Sequence, residues 1–500
     1  MLTKLLRSLV ASSLGIASGL FGFAAGVGIT NSWWEAALLG VCVAGLIGWL
    51  VYTRAIVPLD EAACSRGLKI VSGAATLVAL LQLARLTVFM VDPSQTAFSF
   101  VPSSTWEIEH SCLSAYHISG QSAPSVPDVY DNSLYSMPDD DPNQLRKARM
   151  LGPFKIDVFE YPPPFLLLPR TLQLLTPDFT HLRMLWFGCC GGVVLLAFVV
   201  VVRFMSPAAG TRALLLSPIV WLSFPMISNL QKGNAQATVI AGAMLAMVLF
   251  ERRREAWGGA ILAFVAMSKI YPGMLVIYLL AQRRWRALAW TTAWGFVFLA
   301  VSFLDTGWAP YAAFLHHLPG ILGGEAFPAF RNPAAMAFNF SIPGLIFKLK
   351  LFGVPGMGFG ASKLVGWAYT LVVIATTIVA GRRGFGDDRK PQIWMAILIL
   401  ATLRSPFLPP GYAAIPPLWM LTLIAATVVP NAKTLVTVIV TAAALNLYWP
   451  VDWPIDPKLL AVGFLLPQTV TVIIAVLALR FRPPVSARRP DHHGSAPSEA

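Results

Sequence analysis

The sequence predicts an all-α, polytopic membrane protein, and three observations carry that prediction. Of 500 residues, 56% are hydrophobic and only 12% charged, with a mean hydropathy of +0.66. A soluble globular chain is less apolar and richer in charge. The apolar residues gather in runs of about 20, the length that crosses a bilayer core as a helix. Lys and Arg, which produce the net charge of +13, fall in short links between those runs. That is the pattern of cytoplasmic loops rather than of a nucleic-acid face, and no nucleic-acid partner is expected.

From the N-terminus, MLTKLLRSLVASSLGIASGLFGFAAG has the charged start and apolar middle of a signal peptide, but a second apolar run begins at Trp34. An uncleaved first helix is therefore expected. Spans are predicted near 8–29, 34–57, 70–91, 186–204, 211–227, 235–250, 287–304, 362–380, 391–404, 412–429, 433–449 and 459–480, about 12 transmembrane helices. The interval 257–282 differs, because ERRRE ends at Glu255 on one side and RRWR runs from Arg283 to Arg286 on the other. Both clusters belong in the cytoplasm. Pro272, followed by Gly273, can break the segment into two half-helices, so a re-entrant or broken segment is predicted.

The remaining basic groups then place both termini in the cytoplasm. The chain divides into N-terminal helices (1–69), a membrane core (70–480) and a tail (481–500) whose Pro, Ser, Arg and His content predicts disorder. The large outer loops are 92–185 and 305–361. Between Asp92 and Arg183 lie eleven acids (Asp92, Glu107, Glu109, Asp128, Asp131, Asp139, Asp140, Asp141, Asp157, Glu160, Asp178) against six bases. His110, His117, His181, His316 and His317 also fall outside, so chemistry is expected on the outer face. The five cysteines show no C-x-x-C spacing, which argues against a disulfide framework and a metal site. The run Asp139 to Asp141 is expected to be a solvated turn, and no cofactor is expected.

Individual stretches supply candidates. SNLQKGNAQATV (228–239) sets Lys232, Asn234 and Gln236 against an apolar span. One amide suffices to cap a helix; this many fit a donor-rich rim for an anionic or sugar ligand. FVAMSKIYPGML (264–275) places Lys269 inside an apolar segment, which is costly and marks function, or else snorkels to the surface. STWEIEHSCLSAYHISG offers Glu107 and Glu109 as bases for an acceptor hydroxyl, unless they are merely solvated. DVFEYPPPFLLLPR (157–170) predicts an interfacial ledge from which Asp157, Glu160 and Tyr161 can face a site. Arg404 in RSPFLPPGY suits bidentate phosphate binding or an interfacial role.

Taken in order, FEYPPPFLLLP (159–169), KGNAQ (232–236), MSKIYP (267–272) with RRWR (283–286), NFS (339–341) and RSP (404–406) resemble glycosyltransferase family 87. The resemblance covers roughly 70–480, and it lies in the order of the motifs. It implies a GT-C-like bundle in a bacterial plasma membrane. It also implies inverting transfer of one sugar, mannose or similar, from a polyprenol-phosphate donor to a lipid or glycan acceptor on the outer face. The family's base is an Asp early in the first large outer loop; WEIEHSCLSAYHISG carries Glu107 and Glu109 instead, and Glu107 fits better by its distance to Gly120. A family histidine that holds the donor phosphate falls at His316 or His317. A transporter or flippase of lipid-linked glycans is the alternative, but alternating access does not require so large and acidic an outer loop.

Overall fold

The computed structural model describes residues 2–54, 57, 59–137, 147–428 and 431–480. The Asp139–Asp141 run and the tail from Phe481 lie outside the described residues. Helices dominate, as predicted. Long apolar helices open the chain: α1 (Leu2–Thr30), α2 (Trp33–Thr53) and α3 (Arg66–Val91), the last two capped by Ser32 and Ser65. The loop after α3 holds α4 (Thr105–Glu109), α5 (Cys112–Ser122) and α6 (Leu167–Leu175), and then α7 (Phe179–Phe204) starts on an Asp178 cap.

The expected twelve spans are not reached. Among the described residues seven helices are long and apolar enough to cross a membrane, or up to eight if a bent pair counts as one span. That pair joins Pro207–Trp221, which contains α8 (Pro207–Leu216) and α9 (Pro218–Trp221), to α10 (Phe224–Lys232) at 64°. Proline and polar residues explain the shortfall, since both interrupt helical hydrogen bonding. The polar run at 228–236 separates α10 from α11 (Gln236–Glu251). Pro272 separates α12 (Glu255–Ser268) from α13 (Met274–Ala281).

Beyond the long α14 (Trp285–Thr306) come three outer-loop helices, α15 (Ala309–Gly323), α16 (Pro333–Phe338) and α17 (Leu345–Leu351). Long α18 (Phe359–Gly381) precedes α19 (Lys390–Thr402), α20 (Pro410–Ala413), α21 (Ile415–Thr427) and α22 (Ala432–Leu445). The last apolar stretch is α23 (Pro457–Gly463) followed by α24 (Leu465–Arg480). Helices α11, α19 and α21 are buried almost throughout, and Trp186, Trp394 and Trp419 fill the centre.

Two features position the site. The first is the α12–α13 hairpin. Arg284, just beyond α13, returns to Glu251 and Glu255, and Lys390 joins Glu251. Both ends of the 257–282 segment therefore meet at one end of the bundle, as the paired basic clusters predicted, while its tip reaches Asn234 near the other end. The second is a small sheet that the helical expectation for the outer loop missed. Strands β1 (His110–Ser111), β2 (Met150–Leu151) and β3 (Phe154–Ile156) lie in the order β1-β3-β2, with β1 and β3 parallel and β2 and β3 antiparallel.

Candidate active site

The polar run that interrupts α10 and α11 is almost wholly internal. Gly233 ends α10 in the left-handed region (φ 69°), where a Cβ would meet Leu113 at 2.9 Å. The chain turns there because glycine alone adopts that conformation freely. Around the turn most polar groups brace a neighbour, although Asn229 Nδ2 and Gln236 Nε2 are buried without a hydrogen-bond partner among the described residues. Gln231 donates to the Glu107 carbonyl at 2.7 Å and accepts from the Phe100 N–H at 2.6 Å. Asn229 accepts from the Ala237 N–H at 3.2 Å. Gln236 is buried at the first turn of α11, its N–H given to Asn234 at 2.9 Å. The predicted open rim is thus mostly a closed brace, because buried amides seek partners within the protein.

Glu107 belongs to the same brace. Its carboxylate is buried and lies 2.9 Å from Lys232 Nζ, also buried. Glu109 is partly exposed and pairs with Lys155 at 2.8 Å. Both predicted bases are therefore engaged by lysines.

Asn234 alone in the run turns toward a second centre. Its Oδ1 accepts from Lys269 Nζ at 3.3 Å, and its Nδ2 donates to the Tyr161 hydroxyl at 3.4 Å. Lys269 caps the C-terminus of α12 at the hairpin tip, 5.2 Å from the Tyr161 ring centre and 5.7 Å from that of Tyr412. The aromatic faces and one amide oxygen hold an ammonium with no carboxylate bonded to it among the described residues. Tyr161 is fixed in turn by Tyr116, whose O–H donates to it at 2.7 Å. The three prolines 162–164 turn the chain into the short helical ledge the sequence predicts, setting Phe165 against the Tyr161 ring at 4.7 Å.

Glu160 stands beside this pair. It makes no hydrogen bond or ion pair among the described residues and is only partly buried. Burial first, and the Asp157 carboxylate second, hold it well above the usual carboxylate range, while Lys269 pulls the other way. Asp157 is raised by burial too, yet 35% of its side chain stays accessible. Those two facts describe a carboxylate lining a space enclosed by protein.

The sheet delivers a further group that sequence reasoning missed. His110 Nε2 lies 3.8 Å from Asp157 Oδ2 and 3.6 Å from Cys112 Sγ, and the Cys112 sulfur is 2.9 Å from the Tyr412 hydroxyl. Burial pushes the Cys112 thiol up to about 12, and burial followed by the Lys232 and Lys155 cations holds His110 well below its ordinary value. The alternation His-x-Cys was the available signal, but nothing in the sequence pairs it with Asp157.

The remaining candidates sit elsewhere. His317 pairs with Asp128 at 2.8 Å, and His316 packs on it. This pair is one layer removed: Tyr130, 5.8 Å from the His317 ring, donates to the Tyr161 carbonyl at 2.6 Å. Arg404 gives its Nε–H to Thr370 at 2.7 Å and lies over Trp367, on α18. The NFS and RSP stretches form a clamp, with Asn339 and Ser341 both donating to the Pro406 carbonyl at 3.0 Å. An apolar cavity of about 90 Å³ lies apart from the polar cluster, between α1, α3 and α8–α10, reaching Ile227 and Leu230 on the helix that carries Lys232.

Comparison with known proteins adds one result. A search among curated proteins finds no match. The model of glycosyltransferase family 87 matches residues 159–410, from the proline ledge through the hairpin and the NFS–RSP clamp, half of the 500-residue chain. The chain belongs to glycosyltransferase family 87 and is a glycosyltransferase embedded in a membrane.

Proposed function

We propose that the protein moves a single sugar, mannose or similar, from a polyprenol-phosphate donor to a lipid or glycan acceptor at the outer face of a bacterial plasma membrane. In this reading both termini face the cytoplasm, the architecture is of the GT-C type, and inversion follows from one in-line displacement. The observation that carries it is Lys269, with no carboxylate bonded to it among the described residues, within electrostatic reach of Glu160, which makes no hydrogen bond or ion pair among them. A departing polyprenyl phosphate needs a fixed cation and donors, which Lys269 and Asn234 supply. An attacking hydroxyl needs a base held near the working pH, which a carboxylate raised by burial supplies.

Glu160 therefore takes the role that sequence reasoning gave to Glu107 and Glu109, since those two carboxylates are already engaged by lysines. Tyr161 orients the lysine, and the Asp128–His317 pair, with His316, supports Tyr161 through Tyr130. Lys232 and Gln236 keep the brace in shape. Arg404 is an interfacial side chain packed against α18.

The test uses purified protein in lipid with radiolabelled polyprenol-phosphate mannose and a membrane lipid extract. Wild type and Glu107→Gln should both transfer label when folded, whereas Glu160→Gln should not. Loss of transfer in folded Glu107→Gln, with transfer kept in Glu160→Gln, returns the base to Glu107. Binding of the donor without any transfer by wild type favours the transporter alternative.

A further inference from the structure

The parallel register of the outer-loop sheet has a chemical result of its own. Pairing His110 with Lys155 and Ser111 with Ile156 brings Asp157 opposite Cys112. Cys112, the first residue of α5, and Asp157, the residue after β3, thereby end up beside His110. Their ligand atoms all lie within 4.8 Å of one another, with His110 Nε2 at 3.6 Å from Cys112 Sγ and 3.8 Å from Asp157 Oδ2.

These separations match a coordination polyhedron. Zinc bonds of about 2.3 Å to sulfur, about 2.0–2.1 Å to imidazole nitrogen and about 2.0–2.2 Å to carboxylate oxygen give tetrahedral edges of roughly 3.3–3.6 Å. The His110–Cys112 separation already meets such an edge and the His110–Asp157 separation is a few tenths of an ångström longer, with the third pair inside 4.8 Å. We infer that His110, Cys112 and Asp157 form a three-ligand site for a zinc-like divalent cation.

The donor set and its surroundings agree. A thiolate and a carboxylate carry two negative charges, which neutralise a divalent ion and leave a buried site without net charge. Loading displaces the thiol proton to solvent, and no oxidation state changes. The Tyr412 hydroxyl, 2.9 Å from the sulfur, supplies the supporting hydrogen bond that metal-bound sulfur accepts. Trp106 stacks on the His110 ring at 4.6 Å and 14°, fixing its plane. The Asp157 N–H is held by Ser114 Oγ at 2.9 Å. Three protein ligands leave a fourth position open, the arrangement of a catalytic rather than a structural ion. The partly accessible Asp157 marks the side from which an anionic oxygen, the donor phosphate if the reading above holds, reaches that position. The sequence expectation of no metal rested on the missing C-x-x-C, but these ligands come from two segments joined only by the fold.

The experiment measures metal rather than transfer, so its outcome is independent of donor chemistry. Full-length protein is purified without a histidine tag, with His492 and His493 changed to Ala so that the adjacent imidazoles cannot add to the metal count. It is stripped with chelator, loaded with zinc and dialysed, and the metal is counted by mass spectrometry. A parallel sample is loaded with cobalt and read by absorbance. The expected result is one zinc per chain and a thiolate-to-cobalt charge-transfer band. Cys112→Ser should abolish the band, and His110→Ala and Asp157→Asn should each weaken zinc binding by at least about tenfold. Cys42→Ser should change neither. Substoichiometric zinc in the loaded wild type, or a cobalt complex without the thiolate band, overturns the inference without need of any variant. Full zinc retention by all three ligand variants does the same.

Discussion

Glu107 and Lys232 face each other at 2.9 Å although 125 positions separate them in sequence, and both side chains are buried. The pair fastens the start of the outer loop to the end of α10. Removing one partner of such a pair leaves an uncompensated buried charge, which costs about 3–5 kcal/mol. Glu107→Gln should therefore lower the unfolding temperature markedly. Glu107→Gln with Lys232→Met should recover part of the loss, as thermal unfolding in detergent will show.

For Glu160 the direction of its acid–base shift sets the sign of the pH dependence. Burial and the Asp157 carboxylate raise it well above the usual carboxylate range, so it is protonated at pH values where ordinary carboxylates are ionised. Transfer should rise with pH as Glu160 loses its proton, with an acidic limb above the ordinary carboxylate range. Glu160→Gln should lower kcat by about 10²–10⁴-fold and abolish that limb. The same shift favours the folded state below the ordinary carboxylate range, and that contribution fades as pH rises through the raised value.

Lys269 supplies the complementary test. Lys269→Met removes the cation that lowers Glu160, so the residual activity should show its acidic limb at still higher pH. If Lys269 also binds the departing phosphate, kcat should fall by about 10²–10³-fold, the scale for losing one preorganised stabilising group. A pH–rate profile of the variant reads both effects, and a limb that stays in place separates Lys269 from Glu160.

Gly233 predicts a stability effect without a charge. Its φ of 69° and the 2.9 Å approach of Leu113 leave no relaxed place for a methyl group. Gly233→Ala should cost about 1–2 kcal/mol from the left-handed conformation alone, read by chemical denaturation. Because Asn234 follows directly, donor KM should rise as well.

The sequence disclosed the membrane class, the hairpin and the ledge because each has a one-dimensional cause: apolar length, paired basic clusters, consecutive prolines. It singled out Lys269 and Tyr161 for the same reason, one being a charge in an apolar run and the other a neighbour of the prolines, and the fold brings the two together. It misjudged the amide run, since whether Gln231 meets a ligand or the Glu107 carbonyl depends on a loop more than 100 residues away. It could not show His110, Cys112 and Asp157 together, because a parallel pairing of two-residue and three-residue strands leaves almost no periodic trace. The count of twelve spans goes beyond what the structure supports, because polar and proline residues divide several apolar runs into helices too short to be counted as spans by length.

The hairpin also sets a depth. Its first arm has 14 residues, about 21 Å of helix, less than the roughly 30 Å hydrocarbon core. Rooted in the charged Glu251, Arg284 and Lys390 cluster, an arm of that length sets how far Lys269 stands from those charges. If the proposed transfer takes place at its tip, an arm too short to cross would keep the activated sugar below the membrane surface, where the acceptor hydroxyl would face less competition from water.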